Sequence, residues 1–599
     1  MFDHPISPYE AHTLAEDGLS LKTLGSAPHA VTEAVTWVAN ELVLNAQKTY
    51  ADPFRDVEVS LKLTNGTDTL TVPGFWDGAN VWRVRFVCPE AGQWTYETVS
   101  TDTTDAGLHG VKGTLTCTAY TGKTELYRHG FVKTDPARRC FAYADGTPFF
   151  YLGDTHWSLG GENAGLVTKM ADQRAKQGFT VVQSEPIDAA FKMAEDISED
   201  SMPGFAAYDE LFQIIAEHGL VHANASFFFP SFMEAAVLNH GGYTDRLVGT
   251  LTHEDKEYAF YEISDEAKNY LRLISRYWVA RYGAYPVFWT MGQEVDAGFY
   301  WHLSPNRHWC KLNNPYLYAA EYTGAYDAYH HPLSAHQENT GHTVASSSVF
   351  RDVAAHSWWA VQWQLGFHYP LDCATPKDYY ENGQGKPVVY YEGKYCYLWT
   401  KNYGARVQGW MAYLSGMCGY GWGGQDTWSY RNTYSEDADS GDGVDLITAA
   451  EKRDATYESS LTLPSSYQVG YMRAFLENAV GNWFDLVPRW NDKTYLDHPD
   501  RVLALCASTE DQSKTVCYFY QTANTDIIRT PNATKQEAVS TGTLGHLTPN
   551  TLYRYVWFDA ANGWKTSEGS FIADANGCWA IGEKDDRDMV LFVFRPDNK

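Results

Sequence analysis

Eight short apolar segments that end in polar side chains recur along the middle of the chain and alternate with segments of helical periodicity. They are PFFYLGDTHW (148–157), GFTVVQSE (178–185), LVHANASFF (220–228), YPVFWTMGQE (285–294), PLSAHQE (332–338), VQWQLGFH (361–368), PVVYYE (387–392) and GYGWGGQDTW (419–428). Eight strand and helix units in roughly 300 residues are typical of a (β/α)8 barrel. An open doubly wound sheet usually carries a Gly-rich phosphate loop after its first strand, and GxGxxG is absent. The pattern predicts an α/β fold with a TIM barrel over 123–497.

The segments on either side of this region alternate with a period of two. VEVSLKL (57–63) places every second residue on an apolar face, and a hairpin-type Asn65-Gly66 turn follows it. The same period returns near the end of the chain in KTVCYFY, LYRYVWFDAANGW and DMVLFVF. We therefore expect an antiparallel β-sandwich over 28–122, a second one over 498–599, and an N-terminal arm over 1–27.

The composition restricts the class of ligand. Asp and Glu number 74 against 46 Lys and Arg, so the net charge is −28. A surface this acidic disfavours nucleic acid and anionic membranes as partners and favours an uncharged ligand. The 21 Trp and 41 Tyr suit stacking on sugar rings, although most aromatic residues fill cores. The expected partner is a carbohydrate, and the sequence leaves both a monomer and a homo-oligomer open.

The cysteines and the N-terminal residues indicate the compartment. The ten cysteines form no CxxC pair and no ligand spacing, so we expect mostly buried free thiols. MFDHPISPYEAHTLAEDG lacks a basic segment followed by an apolar one, and no apolar run approaches membrane-spanning length. These features predict a cytoplasmic protein, although a trimmed signal peptide would leave the same appearance.

Polar residues at the ends of the predicted strands outline a pocket, because these ends face the active site of a barrel. They are Asp154, His156, Trp157, Gln183, Glu185, Asn224, Ser226, Glu294, His336, Glu338, Gln364, Glu392, Trp422 and Gln425. The set lacks the Lys/Arg cluster of phosphate chemistry and the HExxH motif of zinc sites. It predicts a pocket that binds substrate without a metal or cofactor.

Glu294 and Glu392 are the strongest catalytic candidates. They are 98 residues apart, which corresponds to three βα units, so they follow strands four and seven on roughly opposite walls. Hydrolysis of a glycosidic bond needs one protonated carboxyl and one ionised carboxylate on either side of the bond. A structural ion pair is an equal alternative for either glutamate alone. Both together, with Trp157, Trp289 and Trp422 nearby, favour catalysis, and Asp296 competes with Glu294.

Other acidic and imidazole groups have weaker signals. Asp154 is a third carboxylate that could be catalytic, but binding of a substrate hydroxyl or fixing of a loop is favoured. His156 and His336 fit acid/base, metal-ligand or plain hydrogen-bonding roles, and the last is the commonest. The acidic segment SEDADSGDGVD (435–445) resembles a calcium loop but lacks the EF-hand register, which favours a solvated loop.

Several motifs resemble a known family. ADPFRDV, VPGFWDGANVWRVRF and GQWTYETVS resemble the β-domain of unknown function numbered 5060 (DUF5060), which precedes some glycosidase barrels. LGDTHWSL, VFWTMGQE, SAHQENTGHTVASSSVF, WQLGFH, EGKY and GWMAYLSGMCGYGWGGQDTW resemble the apiosidase-like glycoside hydrolases related to family 140. The resemblance implies catalytic carboxylates after strands four and seven, which fall on Glu294 and Glu392.

The chain also departs from the family pattern. Gln293 and Glu294 stand where the family usually has Gly and Asp, and Leu365 and Phe367 replace a polar pair after strand six. These differences concern the specific apiosidase activity and leave hydrolase chemistry intact.

The sequence thus predicts an exo-acting glycoside hydrolase for a neutral plant-type oligosaccharide or glycoside. Glu294 is the expected general acid/base and Glu392 the expected nucleophile, with Lys394 and Tyr395 as candidates for holding it ionised. Carboxylates about 5–5.5 Å apart would give retention of anomeric configuration, and wider spacing would give inversion. The alternatives are a non-catalytic carbohydrate-binding protein and a transglycosylase on the same barrel.

Overall fold

The computed structural model describes most of the chain in segments separated by gaps. These are residues 2–157, 159, 164–185, 193–226, 230–253, 255–295, 312–337, 344–363, 371–396, 402–424, 427, 456–499, 502–521, 539–584 and 588–596. Antiparallel sheets come first, then a parallel barrel with its helices, then further antiparallel sheets. This order confirms the predicted fold class.

Two sheets form the N-terminal part, in the orders β1-β8-β7-β3-β4 and β2-β6-β5. All pairs are antiparallel except β1 with β8. Val59, Leu61 and Leu63 of β3 are buried while the residues between them are not, as the period of two predicts. The strands are β1 (Glu33–Val35), β2 (Asn40–Asn45), β3 (Val59–Thr64), β4 (Thr69–Pro73), β5 (Phe75–Trp76), β6 (Val81–Phe86), β7 (Gly92–Ser100) and β8 (Lys112–Thr118), with helices α1 (Pro53–Asp56) and α2 (Glu125–His129).

A small three-stranded sheet closes the lower end of the barrel. It consists of β9 (Lys133–Asp135), β10 (Cys140–Ala142) and β11 (Pro148–Phe149). Phe141 of this sheet stacks on Phe288 with ring centroids 5.1 Å apart and lies 5.7 Å from Tyr151. Since Phe288 and Tyr151 belong to barrel strands, aromatic side chains fill the bottom of the barrel and leave the upper end for a site.

Eight parallel strands form the barrel, in the order β18-β17-β14-β13-β12-β21-β20-β19. Parallel bridges from Leu333 to His356 and from His336 to Ala360 join the first strand of this order to the last, so the barrel closes. The strands are β12 (Tyr151–His156), β13 (Val181–Ser184), β14 (Val221–Ser226), β17 (Val287–Met291), β18 (Leu333–Ala335), β19 (Trp359–Gln362), β20 (Val388–Glu392) and β21 (Gly419–Trp422). The antiparallel hairpin of β15 (Tyr243–His253) and β16 (Lys256–Ile263) lies between the third and fourth of them along the chain.

The sixth barrel strand corrects one boundary. The sequence predicts this strand over 361–368, but β19 begins at Trp359 and ends at Gln362. Gln362, rather than Gln364, therefore ends the strand, and Gln364 lies outside the described residues. Trp359, before the predicted start, belongs to the buried strand, and the periodicity of VQWQLGFH did not reveal this.

Helices surround the barrel between its strands. Ser264 caps the helix that precedes the fourth barrel strand by accepting a hydrogen bond from the Ala267 N–H at 3.1 Å. The helices are α3 (Ala164–Lys176), α4 (Met202–Glu217), α5 (Pro230–Asn239), α6 (Asp265–Tyr282), α7 (Pro315–Tyr326), α8 (Ala374–Asn382), α9 (Asn402–Leu414), α10 (Tyr457–Ser460) and α11 (Pro464–Phe475). Short 3-10 turns occur at Leu14–Asp17, Glu199–Ser201 and Trp483–Asp485, and a π-helical turn at Leu476–Val480. No helix in the described part of the chain is long and apolar enough to span a membrane.

Three further sheets form the C-terminal part. The largest has the order β22-β24-β25-β32-β28-β29, and the smaller ones pair β23-β27-β30 and β26-β31. The strands are β22 (Val487–Pro488), β23 (Leu496–Asp497), β24 (Val502–Ser508), β25 (Lys514–Gln521), β26 (Val539–Ser540), β27 (Thr543–Leu544), β28 (Leu552–Asp559), β29 (Trp564–Ile572), β30 (Trp579–Ala580), β31 (Glu583–Lys584) and β32 (Met589–Phe594). The cysteines of the described residues are free thiols and all but Cys578 are buried.

A buried ionic network joins the N-terminal sheets to the barrel helices. Arg85 of β6 donates to Asp209 of α4 at 2.6 Å and to Glu41 of β2 at 2.7 Å. Arg281 of α6 donates to both oxygens of Asp209 at 2.8 Å. Burial by itself would raise the pKa of Asp209, but the two guanidinium groups hold it below its usual value.

A second ion pair joins the barrel to the C-terminal sheets. Arg406 of α9 donates to both carboxylate oxygens of Asp588 at 2.7 Å. The Tyr518 hydroxyl of β25 donates to the same carboxylate at 2.6 Å. Because this pair is buried and bidentate, it fixes the orientation of the sheet on the barrel.

Candidate active site

Glu392 is the last residue of β20 and its side chain is 10% exposed. The neighbouring strand shows how it reaches the pocket. Val361 pairs with Tyr390 but Gln362 pairs with Glu392, so Tyr391 is an extra residue on β20. A bulge of this kind re-aims the side chains that follow it. Tyr391 therefore packs against Trp157 and His336, and the next residue, Glu392, also contacts both of them.

Four polar side chains contact the Glu392 carboxylate. The Tyr395 hydroxyl donates a short hydrogen bond to Oε1, and the Trp157 indole N–H donates to the same oxygen at 3.3 Å. The Gln362 amide donates to Oε2 at 2.6 Å, and His336 Nε2 lies 3.3 Å from Oε2. No Lys or Arg of the described residues pairs with it. Tyr395 thus contacts Glu392 directly, and its role in keeping Glu392 ionised stays a prediction, whereas the backbone N–H of Lys394 donates to Gln408 at 2.7 Å.

Gln362 brings the two candidate glutamates together. Its amide nitrogen lies 2.9 Å from Glu294 Oε1 and 2.6 Å from Glu392 Oε2. Since both oxygens contact one nitrogen, they are separated by no more than the sum of these distances, 5.5 Å. The sequence prediction missed Gln362, because it assigned the pocket residue of the sixth strand two positions later, to Gln364.

The backbone at Glu294 has an unusual conformation. Its φ is 53°, in the left-handed region, and Gly292 two residues earlier has the same φ. The segment is fixed by Val295, whose N–H donates to the His336 carbonyl at 3.0 Å and whose carbonyl accepts from Asn314 at 2.8 Å. A non-glycine residue in this region costs of order 1–3 kcal/mol, and the surrounding hydrogen bonds hold the backbone in this conformation. In this conformation the Glu294 carboxylate accepts a hydrogen bond from the Gln362 amide at 2.9 Å.

Burial and neighbouring charge perturb the ionisable groups of the site. Burial, and then the charge of Glu294, raise the pKa of Glu392 to about 7, although its hydrogen bonds from Tyr395 and Gln362 favour the ionised form. Burial lowers the pKa of His336 to about 4, so this imidazole is neutral at neutral pH. The nearby charge of Glu294 therefore makes ionisation of Glu392 less favourable.

Gln183 of β13 and Glu185, which follows this strand, lie near the pair. Gln183 donates to the Tyr391 carbonyl at 2.7 Å across the barrel interior. A Cβ at Gly153 or Gly421 would lie 2.3 or 2.4 Å from the Gln183 oxygen, so only glycine fits at these two positions. Glu185 is fully buried, and burial followed by the charges of Glu392 and Glu294 raises its pKa well above the usual value.

Several predicted pocket residues point to the outside of the barrel. Asp154 contacts His156 and Arg174, each at 2.5 Å, beneath α3, and these two partners hold its pKa below the usual value against the effect of burial. Asn224 accepts from the Trp278 indole of α6 at 3.1 Å. Trp422 donates to Ser465 of α11 at 3.0 Å. The structure does not bring these side chains together with the two glutamates.

The remaining predicted residues lie outside the pocket or outside the part of the chain that the structure describes. Trp289 is described and lies outside the pocket, donating to Asp327 at 2.9 Å. Only the backbone of Ser226 is described. The remaining predicted positions lie outside the described residues: Asp296, Glu338, Gln364, Gln425 and the acidic segment 435–445. Within the described part of the chain, no group of three His, Cys, Asp or Glu side chains could hold a metal ion.

Comparison with known families agrees with the geometry. Residues 135–483 match the apiosidase-like catalytic domain, which is more than half of the chain. The chain belongs to the apiosidase-like family. Its barrel is the catalytic domain of a glycoside hydrolase, as the motifs of the sequence predicted, and residues 33–101 match DUF5060. Among curated proteins, none has a sequence that matches this chain.

Solved structures show the same architecture. A glycoside hydrolase from Bacteroides vulgatus aligns with a TM-score of 0.61 and 16% identity, over 94% of this chain and 99% of its own. A family 5 glycoside hydrolase from the same organism has a TM-score of 0.56 and 13% identity, over 80% of this chain and 96% of its own. A third glycoside hydrolase has a TM-score of 0.53 and 15% identity, over 80% and 100%. At these identities the likeness establishes the fold.

Proposed function

We propose that the protein is an exo-acting, retaining glycoside hydrolase for a neutral sugar, with Glu392 as nucleophile and Glu294 as general acid/base. The observation that carries the proposal is the limit of 5.5 Å between the facing oxygens of the two glutamates. Retaining enzymes have carboxyl groups about 5–5.5 Å apart, whereas inverting enzymes need about 6.5–9.5 Å to admit a water.

The contacts of each glutamate support the division of roles. Three N–H and O–H donors converge on Glu392, from Tyr395, Trp157 and Gln362, and such bonds favour a carboxylate. Repulsion between the two carboxylates contributes to the raised pKa of Glu392, so the pair holds one proton near neutral pH, and we assign this proton to Glu294 because the donors that favour a carboxylate converge on Glu392. One ionised and one protonated carboxyl are the state that glycoside hydrolysis requires.

The reaction then proceeds in two displacements. A Glu392 oxygen bonds to the anomeric carbon while Glu294 transfers its proton to the leaving oxygen and the glycosidic C–O bond breaks. In the second displacement Glu294, now ionised, takes a proton from water. The water oxygen bonds to the anomeric carbon and the ester bond to Glu392 breaks. Both glutamates return to their starting states.

The burial of Glu392 and the uncharged side chains around it support the proposed type of substrate. Glu392 is 10% exposed, and a carboxylate at this depth fits the end of a sugar chain better than its interior. Its partners are a phenol, an indole, an amide and an imidazole, and an anionic sugar would find no cation among them. These features support exo action on a neutral glycoside.

A panel of aryl glycosides tests the proposal. We expect turnover by the wild type and loss of turnover by Glu392→Gln on every sugar that the wild type accepts. Glu294→Gln should still cleave substrates whose leaving group needs no proton, and added azide should restore its rate by attacking the glycosyl intermediate. Asp296→Asn is the control for the competing acid. Wild-type rates in Glu392→Gln, or turnover lost in Asp296→Asn but not in Glu294→Gln, would contradict the assignment.

A further inference from the structure

Glu185 is a third carboxyl group beside the catalytic pair, and the mechanism above does not use it. Its side chain is 1% exposed and follows β13 at the upper end of the barrel. Neither of its oxygens has a hydrogen-bond partner among the described residues. Buried polar groups are nearly always hydrogen-bonded, and leaving one unpaired carries a penalty. The two carboxyl oxygens of Glu185 therefore need a hydrogen-bond partner that the described residues do not supply.

The backbone holds Glu185 close to the catalytic machinery. Its N–H donates to the carbonyl of Trp157 at 3.2 Å, and the Tyr208 hydroxyl donates to its carbonyl at 3.3 Å. The Trp157 indole is one of the donors to Glu392. Because Trp157 contacts both glutamates, it fixes the backbone of Glu185 relative to the nucleophile, whose charge acts on Glu185.

The groups that face Glu185 are negative or neutral. Glu392 at the end of β20 and Glu294 after β17 are the charged groups of the described residues that act on it, and both raise its pKa beyond the effect of burial. The phenols of Tyr391 on β20 and Tyr316 on α7 are the further titratable groups that its charge affects. No described cation offsets this repulsion, so burial and the two neighbouring charges both favour the protonated form of Glu185.

We propose that neutral Glu185 is a substrate-binding residue that donates a hydrogen bond from its carboxyl O–H to a hydroxyl oxygen of the bound sugar. Its second oxygen is free to accept a hydrogen bond from a neighbouring hydroxyl. The inference rests on the proposed function and deepens it. It assigns the site to neutral polyhydroxylated sugars, since a uronate would meet three acidic groups.

Kinetics of three variants test the role. Glu185→Gln keeps a donor and an acceptor but cannot ionise, so its KM should stay constant at alkaline pH where the wild-type KM rises. Glu185→Leu removes the hydrogen bond, and loss of a bond to a neutral group corresponds to a KM increase of about threefold to tenfold at neutral pH. Glu125→Gln, an exposed glutamate of α2, is the matched control and should behave as the wild type. Identical dependence of KM on pH in the wild type and Glu185→Gln would overturn the proposal.

Infrared difference spectroscopy gives a readout that does not need turnover. The wild type minus Glu185→Gln spectrum at neutral pH should contain the C=O stretching band of a protonated, buried carboxyl. Addition of a bound sugar, chosen from free apiose, arabinose, galactose, glucose and rhamnose, should lower the frequency of this band. Absence of the band overturns the proposal even in an active hydrolase. A band that shifts with sugar in an enzyme without turnover supports Glu185 and contradicts the proposed reaction instead.

Discussion

Replacement of Gln362 by Ala is the sharpest test of how the site holds its two carboxylates. The Gln362 amide donates at 2.6 Å to ionised Glu392, a charge-assisted hydrogen bond that contributes about 1.5–3 kcal/mol, and at 2.9 Å to protonated Glu294, a neutral hydrogen bond that contributes about 0.5–1.5 kcal/mol. Gln362→Ala removes both bonds and the link that limits the separation of the oxygens. Displacement of a reacting group by about 1 Å can lower a rate by about 10²-fold. We expect kcat to fall by about that factor while KM changes less.

The assay is steady-state kinetics on an accepted aryl glycoside, with kcat and KM determined separately over pH. Gln213→Ala is the matched control, because the buried Gln213 amide donates hydrogen bonds to Thr23 at 2.9 Å and to Tyr285 at 3.2 Å, away from the two carboxylates. It should lose stability and keep kcat. If Gln362→Ala kept kcat within a factor of about 3 and an unchanged pH profile, the amide would not hold the pair and the reasoning would be refuted.

Three further predictions concern charge. The pKa of Glu392 is raised from 4.5 to about 7 in the folded protein, so its ionisation costs stability as pH rises through that interval. The free energy of unfolding of Glu392→Gln should therefore rise relative to that of the wild type from pH 4.5 to 7, by up to about 3 kcal/mol, and a difference in thermal midpoint that does not change with pH would contradict this. Glu294→Gln removes one cause of the shift, so the acid limb of kcat/KM on an activated aryl glycoside should move below pH 7. Asp209→Ala leaves Arg85 and Arg281 buried without their shared carboxylate, and urea unfolding should show a loss of about 3–5 kcal/mol; a loss below 1 kcal/mol would argue against the network.

The barrel could be predicted because parallel strands covered on both faces appear as apolar runs, and eight such runs alternate with helices. Counting those runs was enough to place Glu294 and Glu392 after the fourth and seventh strands. Their proximity follows from the circular order of the strands, which the chain order determines in a barrel.

The orientation of side chains at the strand ends was harder to predict. All polar end residues were assigned to the pocket, but successive residues of a strand point to opposite faces. Gly153 faces the barrel interior beside Gln183, so Asp154 faces α3, where it meets Arg174. Applying the period of two at this strand end would have separated Asp154 from the pocket.

Two features of the site have no clear sequence signal. The bulge at Tyr391 allows Tyr391 and Glu392 both to face the pocket, and a regular strand would point one of them outward. Gln362 and Gln364 both fit the end of the sixth strand by periodicity, and only the pairing of β19 with β20 distinguishes them. Tertiary pairing therefore decides the residues that position the catalytic carboxylates.

The anomeric configuration of the first product tests the central claim most directly. Proton NMR during hydrolysis of an accepted glycoside records which anomer forms before mutarotation. Since the facing oxygens of Glu294 and Glu392 are at most 5.5 Å apart, the product should have the configuration of the substrate. An initial product of opposite configuration would show that a water, rather than Glu392, attacks the anomeric carbon, and would contradict the account.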